Sequence, residues 1–338
     1  MALNKLDPQQ PTKPPHGKTP VKPLTFRPFP GLGSAFLQTF MACFAPVGTP
    51  PLSLPLIVPL PDGDCLHCEV STPTSWKPSD KTIVLVHGMG GNQDSPYMVR
   101  LSRKFQAAGY RTVRVNLRAC GNGDGLAKRP YHGGVSNDIF EVIKLLKQQS
   151  PETPITLIGF SLGGNIVLKL AGELGEKAAS YLETTIAVCA PVDLANTAAI
   201  LSSPANLLYN RYFMYNIELQ TQRWTQGKSF STMYEFDQLV TAPLWGFDGP
   251  QDYYKKCSSL SVLPNIAHTC HLIYAADDPF IDYKVCLTAR LPDCVHVWLS
   301  EHGGHMGFIG WTDEEHRYYW LDRALLDCIN GEPILANL

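Results

Sequence analysis

The chain has 338 residues, of which 44 % are hydrophobic and 17 % charged, with a formal net charge of −2. This composition supplies a globular core and excludes collagen, coiled coils and disordered chains. It shows no basic excess of the kind that binds nucleic acid, and no apolar run reaches the ~18 residues that a membrane-spanning helix needs. We therefore expect a soluble enzyme or binding protein, with no nucleic-acid partner and no stable membrane insertion.

Residues 1–30 are rich in proline and are predicted to form an N-terminal arm ahead of one domain over residues 31–338. The arm contains neither an apolar signal-peptide core nor a small-residue cleavage site, so a cytoplasmic protein with reduced cysteines is expected. Cys65 and Cys68 have CxxC spacing, but no second ligand pair follows at zinc-site distance. We therefore expect no metal site there.

Two short elements are predicted between the arm and residue 80. Ser34 is a candidate N-cap for the apolar segment 35–45, which is expected to dock on the domain as a short helix; contact with a membrane surface is the alternative. Segments 54–58 and 65–70 flank the turn 61–64 and are predicted to form an antiparallel hairpin.

After residue 80, short apolar runs alternate with helical periodicity. Strands are predicted over 82–86, 111–116, 155–158, 184–189, 271–274 and 295–299. Helices are predicted over 97–108, 135–149 and 162–174 and near 314–328. This alternation indicates βαβ units, and hence an α/β fold with a mostly parallel central sheet covered by helices on both faces.

The alternation breaks between about residues 192 and 262, where helical pieces rich in tyrosine and tryptophan replace it. An insertion between late strands that interrupts a regular core is typical of a lid. We predict that this segment lies over the carboxyl ends of the strands and supplies apolar walls to a substrate pocket.

The strongest chemical motif is the GxSxG at Gly159-Phe160-Ser161-Leu162-Gly163. It follows a predicted strand and opens a predicted helix, which is the strand–turn–helix context that a nucleophile elbow requires. Ser161 is therefore the candidate nucleophile; the alternative is a serine that only caps the following helix.

A serine nucleophile needs a base, and the base needs an orienting acid. With a GxSxG elbow these follow the serine in the order acid, then histidine. Asp278, directly after the predicted strand 271–274, is the candidate acid. Its neighbour Asp277 and the more distant Asp193 are the alternatives.

The candidate base is His305, which follows the predicted strand 295–299. His302 is the alternative, although a loop histidine that only forms hydrogen bonds is the simpler interpretation of it. The two histidines could also bind a metal ion, but no third ligand at a suitable spacing accompanies them in the sequence. Open α/β sheets place their sites at the carboxyl ends of strands, which is where all three candidate residues lie.

The oxyanion of acyl transfer needs preorganised donors. The backbone N–H of Leu162, next to the nucleophile, is one candidate. The other is the backbone N–H of Met89, in the glycine-rich loop after the strand 82–86. His87 opens that loop and is expected to brace it rather than to transfer protons.

These motifs together resemble the YheT-like branch of the α/β-hydrolase superfamily, from about Gly31 to the C-terminus. The resemblance is carried by Leu37-Gln38-Thr39, Pro61-Asp62-Gly63, His87-Gly88, Ser95-Pro96-Tyr97, Asn116, Arg118, Tyr131-His132, the run from Gly159 to Gly164, Phe236-Asp237, Asp252-Tyr253-Tyr254, Asp277-Asp278-Pro279-Phe280 and Glu301-His302-Gly303-Gly304-His305. It implies an α/β-hydrolase fold, with Ser161, Asp278 and His305 as nucleophile, acid and base. The chain departs from the family at Ala119, where a glycine is expected, and at Gly90, where an acidic residue is common.

The sequence therefore predicts a serine hydrolase that cleaves small-molecule carboxylic esters, lipid-derived esters among them, without a cofactor. An acyltransferase or thioesterase with the same triad is the first alternative. A non-catalytic binding protein of the same fold is the second. The acyl chain, the alcohol and the oligomeric state are not determined by the sequence.

Overall fold

Nine strands form one central sheet within residues 21–43, 48–311, 318–332 and 334, which the computed structural model describes. The strands are β1 (Val21–Leu24), β2 (Leu54–Pro59), β3 (Cys65–Ser71), β4 (Thr82–Val86), β5 (Arg111–Val115), β6 (Ile155–Phe160), β7 (Thr184–Val188), β8 (Thr269–Ala275) and β9 (Val295–Ser300). Their spatial order is β1-β9-β8-β7-β6-β4-β5-β3-β2.

The seven strands β1-β9-β8-β7-β6-β4-β5 each pair in parallel with their neighbours in this spatial order. Strand β3 runs antiparallel to both β5 and β2. The predicted hairpin and the mostly parallel sheet are therefore confirmed. Every residue of β4, β6 and β7 is buried. Strands that are covered on both faces need such continuous apolar runs, because neither face of the strand meets water.

Helices cover both faces of the sheet. They are α1 (Ala35–Cys43), α2 (Pro96–Ala107), α3 (Ser136–Gln149), α4 (Leu162–Leu174), α5 (Leu194–Leu201), α6 (Leu207–Thr225), α7 (Met233–Phe236), α8 (Ala242–Trp245), α9 (Pro250–Cys257) and α10 (Trp320–Asn330). The buried apolar faces of α3 and α4 belong to one core cluster, and those of α2 and α10 belong to the cluster on the opposite face of the sheet.

The predicted arm needs one correction, because its residues 21–24 form strand β1 of the central sheet. A proline-rich composition concealed this strand. Pro23 is tolerated there because β1 is an edge strand, whose outer side makes no ladder hydrogen bonds. Phe26, two residues later, packs on Phe308 and Trp320 with ring centroids 5.7 and 5.8 Å away. Residues 1–20 lie outside the described residues.

The helix predicted over 35–45 is α1, which docks on the domain through buried Gln38 and Thr39. Residues 44 and 45 lie outside the described residues, as do residues 314–317 of the predicted closing helix, whose described part is α10. None of the helices in the described residues has the length and the apolar character needed to cross a bilayer.

Segment 192–262 contains α5 to α9 and one π-helical turn, Asp237–Thr241, and it forms no strand. The described structure thus has helical pieces where the sequence predicted them.

Candidate active site

Five loops that follow parallel strands meet at one edge of the sheet. They follow β4, β6, β7, β8 and β9, whose carboxyl ends lie side by side in the strand register. The candidate nucleophile, acid, base and oxyanion loop all belong to these five loops. The sheet therefore brings together side chains that are far apart in the chain.

Ser161 occupies a strained turn between β6 and α4, with φ 49° and ψ −119°. A non-glycine residue in this region costs about 1–3 kcal/mol, and such strain concentrates at functional sites. The glycines of the motif are required by close packing. A Cβ on Gly159 would lie 2.3 Å from the Gly163 carbonyl oxygen, and one on Gly163 would lie 2.4 Å from the Val86 carbonyl oxygen.

Ser161, His305 and Asp278 form a continuous hydrogen-bonded chain. His305 Nε2 lies 2.9 Å from Ser161 Oγ, and His305 Nδ1 lies 2.7 Å from Asp278 Oδ2. The second carboxylate oxygen, Oδ1, accepts hydrogen bonds from the backbone N–H groups of Phe280 (3.0 Å) and Ile281 (3.1 Å). The Asp278 side chain is completely buried and that of His305 is 8 % exposed, so water competes little for these bonds.

The alternative acids and base lie elsewhere. Asp277 Oδ1 accepts the backbone N–H of Gly304 at 2.9 Å, and its other oxygen lies 3.6 Å from His302 Nδ1. His302 itself is half exposed. Asp193 is the N-cap of α5, where its carboxylate accepts the backbone N–H of Asn196. The structure therefore brings Asp278, and neither alternative, to His305.

Met89 and Leu162 both line the cavity beside Ser161. The backbone N–H groups on either side of Met89 are occupied, since Gly88 donates to Tyr97 Oη and Gly90 donates to Tyr131 Oη, each at 2.9 Å. Neither the Met89 nor the Leu162 N–H has an acceptor among the described residues. Both are therefore available to an oxyanion. Sequence reasoning gave Tyr97 and Tyr131 no role.

His87 braces the loop that carries Met89. Its Nε2 accepts the Leu117 backbone N–H at 3.1 Å, so its Nδ1 carries the proton and donates to the Gly88 carbonyl oxygen at 2.7 Å. Burial lowers the pKa of His87 to about 4, which keeps the ring neutral. These contacts agree with the structural role predicted for it.

Cys189 is a neighbour of the site that sequence reasoning missed. It follows β7 with φ 48°, is fully buried, and places its sulfur within 4.8 Å of ligand atoms of Asp278 and His305. Burial and the nearby Asp278 carboxylate raise the pKa of its thiol, so it stays protonated. These three residues form the single cluster of potential metal ligands within the described part of the chain. Because Asp278 and His305 are already hydrogen-bonded to each other, this cluster does not offer two free ligand atoms to a metal ion.

Two cavities meet at Ser161. The first passes Leu162 and is walled mainly by apolar side chains of segment 192–262, among them Leu194, Ala198, Leu201 and Ile217. Asp237 lies in the wall of this cavity, where burial raises the pKa of its carboxyl to about 7 and Thr241 and Tyr254 donate to it.

The second cavity lies on the side of His305. Its wall includes the polar side chains of Tyr97, Arg100, Tyr212 and Asn216. His305 contacts this cavity and not the first, whereas Leu162 contacts the first and not the second. Ser161 and Met89 contact both.

The two departures from the family pattern have local backbone consequences. Ala119, where a glycine is expected, has φ 62°, a conformation that favours glycine. Gly90 has φ 72°, and a Cβ there would lie 3.0 Å from Asn216 Cβ in α6. The glycine therefore allows α6 to approach the oxyanion loop closely.

Comparisons with known proteins agree with this architecture. Residues 81–182 match the family model described as alpha/beta hydrolase fold. The chain is 31 % identical to YheT of Escherichia coli (strain K12) over 281 residues, covering 79 % of this chain and 82 % of that protein. It is 25 % identical to the monoacylglycerol lipase of Saccharomyces cerevisiae, covering 72 % of this chain and 57 % of that enzyme.

The solved structure of the alpha/beta hydrolase GrgF from Penicillium superposes with a TM-score of 0.53 at 15 % identity, covering 83 % of this chain and 96 % of that chain. At this identity the likeness shows the fold alone. The identity to YheT extends over most of both chains. The chain therefore belongs to the YheT-like family of α/β hydrolases.

Proposed function

We propose that this protein is a serine hydrolase of carboxylic esters, with Ser161 as nucleophile, His305 as base and Asp278 as the orienting acid. The observation that carries this proposal is the continuous chain of short hydrogen bonds from Ser161 Oγ through His305 to Asp278. A relative named as a lipase supports ester hydrolysis as the reaction class.

In the first step, Ser161 Oγ attacks the ester carbonyl carbon while its proton passes to His305 Nε2. The imidazole becomes charged, and the buried Asp278 carboxylate stabilises that charge through Nδ1. The carbonyl oxygen becomes an oxyanion, for which the backbone N–H groups of Met89 and Leu162 are the donors. These donors need no rearrangement, because the loop is braced by Tyr97 and Tyr131.

In the second step, the C–O bond to the alcohol breaks and His305 returns its proton to the leaving oxygen. The alcohol must therefore leave on the side where His305 is accessible, which is the second cavity. This places the acyl chain in the first, apolar cavity. Water then enters, and its oxygen attacks the acyl carbon while His305 removes its proton. The bond from the acyl carbon to Ser161 Oγ breaks, His305 returns the proton to Oγ, and the acid leaves.

This assignment gives segment 192–262 its role. As a lid over the sheet edge, it supplies the apolar wall against which an acyl chain packs, and burial of each methylene contributes about 0.8 kcal/mol. A fatty-acyl ester is accordingly the favoured substrate class.

The test combines a panel of p-nitrophenyl esters of increasing acyl length with covalent labelling by a fluorophosphonate probe. We expect the wild type to hydrolyse the esters and to gain one probe per chain by mass. Ser161→Ala should lose both, with kcat lower by about 10⁶-fold, the scale found for a protease triad. Ser180→Ala, which removes an exposed hydroxyl, is the matched control. Hydrolysis that persisted in Ser161→Ala would overturn the proposal.

Acyl transfer to an alcohol is the second candidate, and the second cavity is the observation that favours it. This cavity, lined by Tyr97, Arg100, Tyr212 and Asn216 beside His305, offers an alcohol a place to bind, whereas hydrolysis needs only water. A yeast relative is named as both an ethyl ester synthase and an esterase. Product analysis in the presence of ethanol or glycerol separates the two, because transfer yields a new ester and hydrolysis yields only the acid.

A further inference from the structure

The loop that carries His305 is held in an unusual backbone conformation. Gly303 and Gly304 have φ 144° and 53°, and the non-glycine residues Met306 and Phe308 have φ 64° and 45°. Residues with side chains rarely adopt such values, and they persist only where surrounding contacts over-determine them. Contacts from outside the loop must therefore hold it in this conformation.

Helix α1 provides such a contact through Thr39. The Thr39 hydroxyl donates to the Ala35 carbonyl oxygen at 2.8 Å and accepts the backbone N–H of His305 at 2.9 Å. Thr39 is 1 % exposed, so water cannot replace this bond. The contact fixes the backbone of the base residue itself.

Gln38 fixes the end of the same loop. Its amide nitrogen donates to the carbonyl oxygens of Leu32 (2.8 Å) and Ile309 (2.9 Å), and its amide oxygen accepts the backbone N–H of Ile309 at 2.8 Å. Gln38 is fully buried. One side chain thus pairs with both backbone groups of Ile309, in the manner of a β-bridge.

The loop also approaches the helix backbone too closely for side chains. A Cβ on Gly304 would lie 2.5 Å from the Ala35 carbonyl oxygen, and one on Gly307 would lie 2.6 Å from the Gln38 carbonyl oxygen. Gly304 and Gly307 therefore let the loop pack closely against α1. Across this contact, Gln38 and Thr39 form hydrogen bonds with the backbone of Ile309 and of His305.

We infer that Gln38 and Thr39 are positioning residues for His305, and that α1 is part of the catalytic apparatus although none of these contacts reaches the reacting atoms. The inference rests on the proposed function of His305. A general base must hold its nitrogen in hydrogen-bond reach of the nucleophile, and a misplacement of about 1 Å can cost about 100-fold in rate.

The test compares Thr39→Val with Thr39→Ser. Valine preserves the shape but removes the acceptor for the His305 N–H, whereas serine keeps it. We expect Thr39→Val to lower kcat and the rate constant of fluorophosphonate labelling by about 10- to 100-fold, with KM within about threefold of wild type. Thr39→Ser should stay within about threefold of wild type in all three.

Thr156→Val is the matched control, because Thr156 is also fully buried and its hydroxyl has no partner within the described residues. It should label and turn over at the wild-type rate. The final extent of labelling measures the folded fraction, so the rate constant of that fraction decides the question even if Thr39→Val is partly unfolded. Gln38→Leu should slow labelling in the same way.

A wild-type rate constant in Thr39→Val, or an equal loss in Thr39→Ser, would overturn the positioning role. Failure of the proposed function itself has a different signature. In that case the wild type would not label, or Ser161→Ala would label as well as the wild type.

Discussion

Asp277 and Asp278 are adjacent in the chain, yet their carboxylates hold different groups. Asp278 accepts from the imidazole of His305, and Asp277 accepts from the backbone of Gly304 one residue earlier. The residue before a proline is biased towards extended geometry, and Pro279 imposes that bias on Asp278. One carboxylate therefore meets the ring, and the other holds the loop that carries it.

This division predicts unequal effects for two matching substitutions. Asp278→Asn should lower kcat by about 10⁴-fold, as in serine proteases, because the amide cannot stabilise the charged imidazole. Asp277→Asn should lower it by less than about tenfold, because the amide oxygen still accepts the Gly304 N–H. The measurement is kcat on one activated short-chain ester, with circular dichroism to check folding. Equal losses, or a larger loss for Asp277→Asn, would show that the acid is assigned to the wrong residue.

Among the secondary-structure elements, α5 and α6 line the first cavity beside Ser161, at the carboxyl ends of the parallel strands. The loops after the strands carry the proposed nucleophile, acid and base, whereas the helices of segment 192–262 supply the apolar wall of the first cavity. Ring contacts join the two parts. Phe280, whose N–H donates to Asp278, packs on His305 at 4.6 Å and on Tyr209 and Phe213 of α6 at 4.9 and 5.7 Å. A movement of α6 would therefore be transmitted through Phe280 to His305.

The acyl assignment of the first cavity can be tested on α5. Ala198 faces the cavity, and Ala198→Phe should fill part of it. We expect kcat/KM for an octanoyl ester to fall at least about tenfold while that for an acetyl ester falls less than about threefold, because several buried methylenes lose their place. Ala199→Phe, on the exposed side of the same helix, should leave this ratio unchanged. Equal losses on both esters would place the acyl chain elsewhere.

At the scale of the whole molecule, the protein buries several histidines as neutral rings. Burial lowers the pKa of four of them to about 3 or 4, namely His87, His132, His268 and His271. A neutral imidazole folds without a charge penalty at neutral pH. In the unfolded chain the same groups take up protons near their ordinary pKa of 6.5.

This difference predicts acid lability. Because the unfolded state binds more protons, stability is lost as pH falls from about 6.5 to about 4, by on the order of 3 kcal/mol for each histidine. Buried Asp237 and Asp138 work in the opposite sense, since the raised pKa of each carboxyl, about 7 for Asp237, favours the folded state as pH falls, but they are two groups against four. The sum is comparable to the whole stability of a typical domain. Unfolding between pH 6.5 and 4 is therefore expected.

Urea unfolding midpoints measured from pH 7.5 to 4.5 check this prediction. His268→Gln, which removes one buried imidazole, should reduce the loss on acidification relative to wild type. His302→Gln, which removes a half-exposed ring, is the control and should not reduce it. A midpoint that stayed constant down to pH 4.5 would contradict the argument.

Sequence patterns alone predicted the alternation of strands and helices, the strand–turn–helix context of Ser161 and the chain order of the three candidate residues. These are local features, set by apolar runs and by glycines that a sharp turn requires. The prediction of an arm over residues 1–30 was incomplete for the opposite reason. The strand Val21–Leu24 depends on pairing with β9, a partner more than 270 residues away, and proline-rich composition gives no local sign of it.

Three features could not be predicted without the folded arrangement: which aspartate reaches His305, which backbone amides stay free for an oxyanion, and which contacts Gln38 and Thr39 make with the loop of His305. Each depends on the direction of a side chain across the sheet edge, and direction is set by packing between segments that are distant in the chain. Thr39 lies 266 residues before the histidine whose backbone it holds. No local pattern encodes that contact, because the group that Thr39 accepts from, the backbone N–H of His305, lies beside α1 only after the chain has folded.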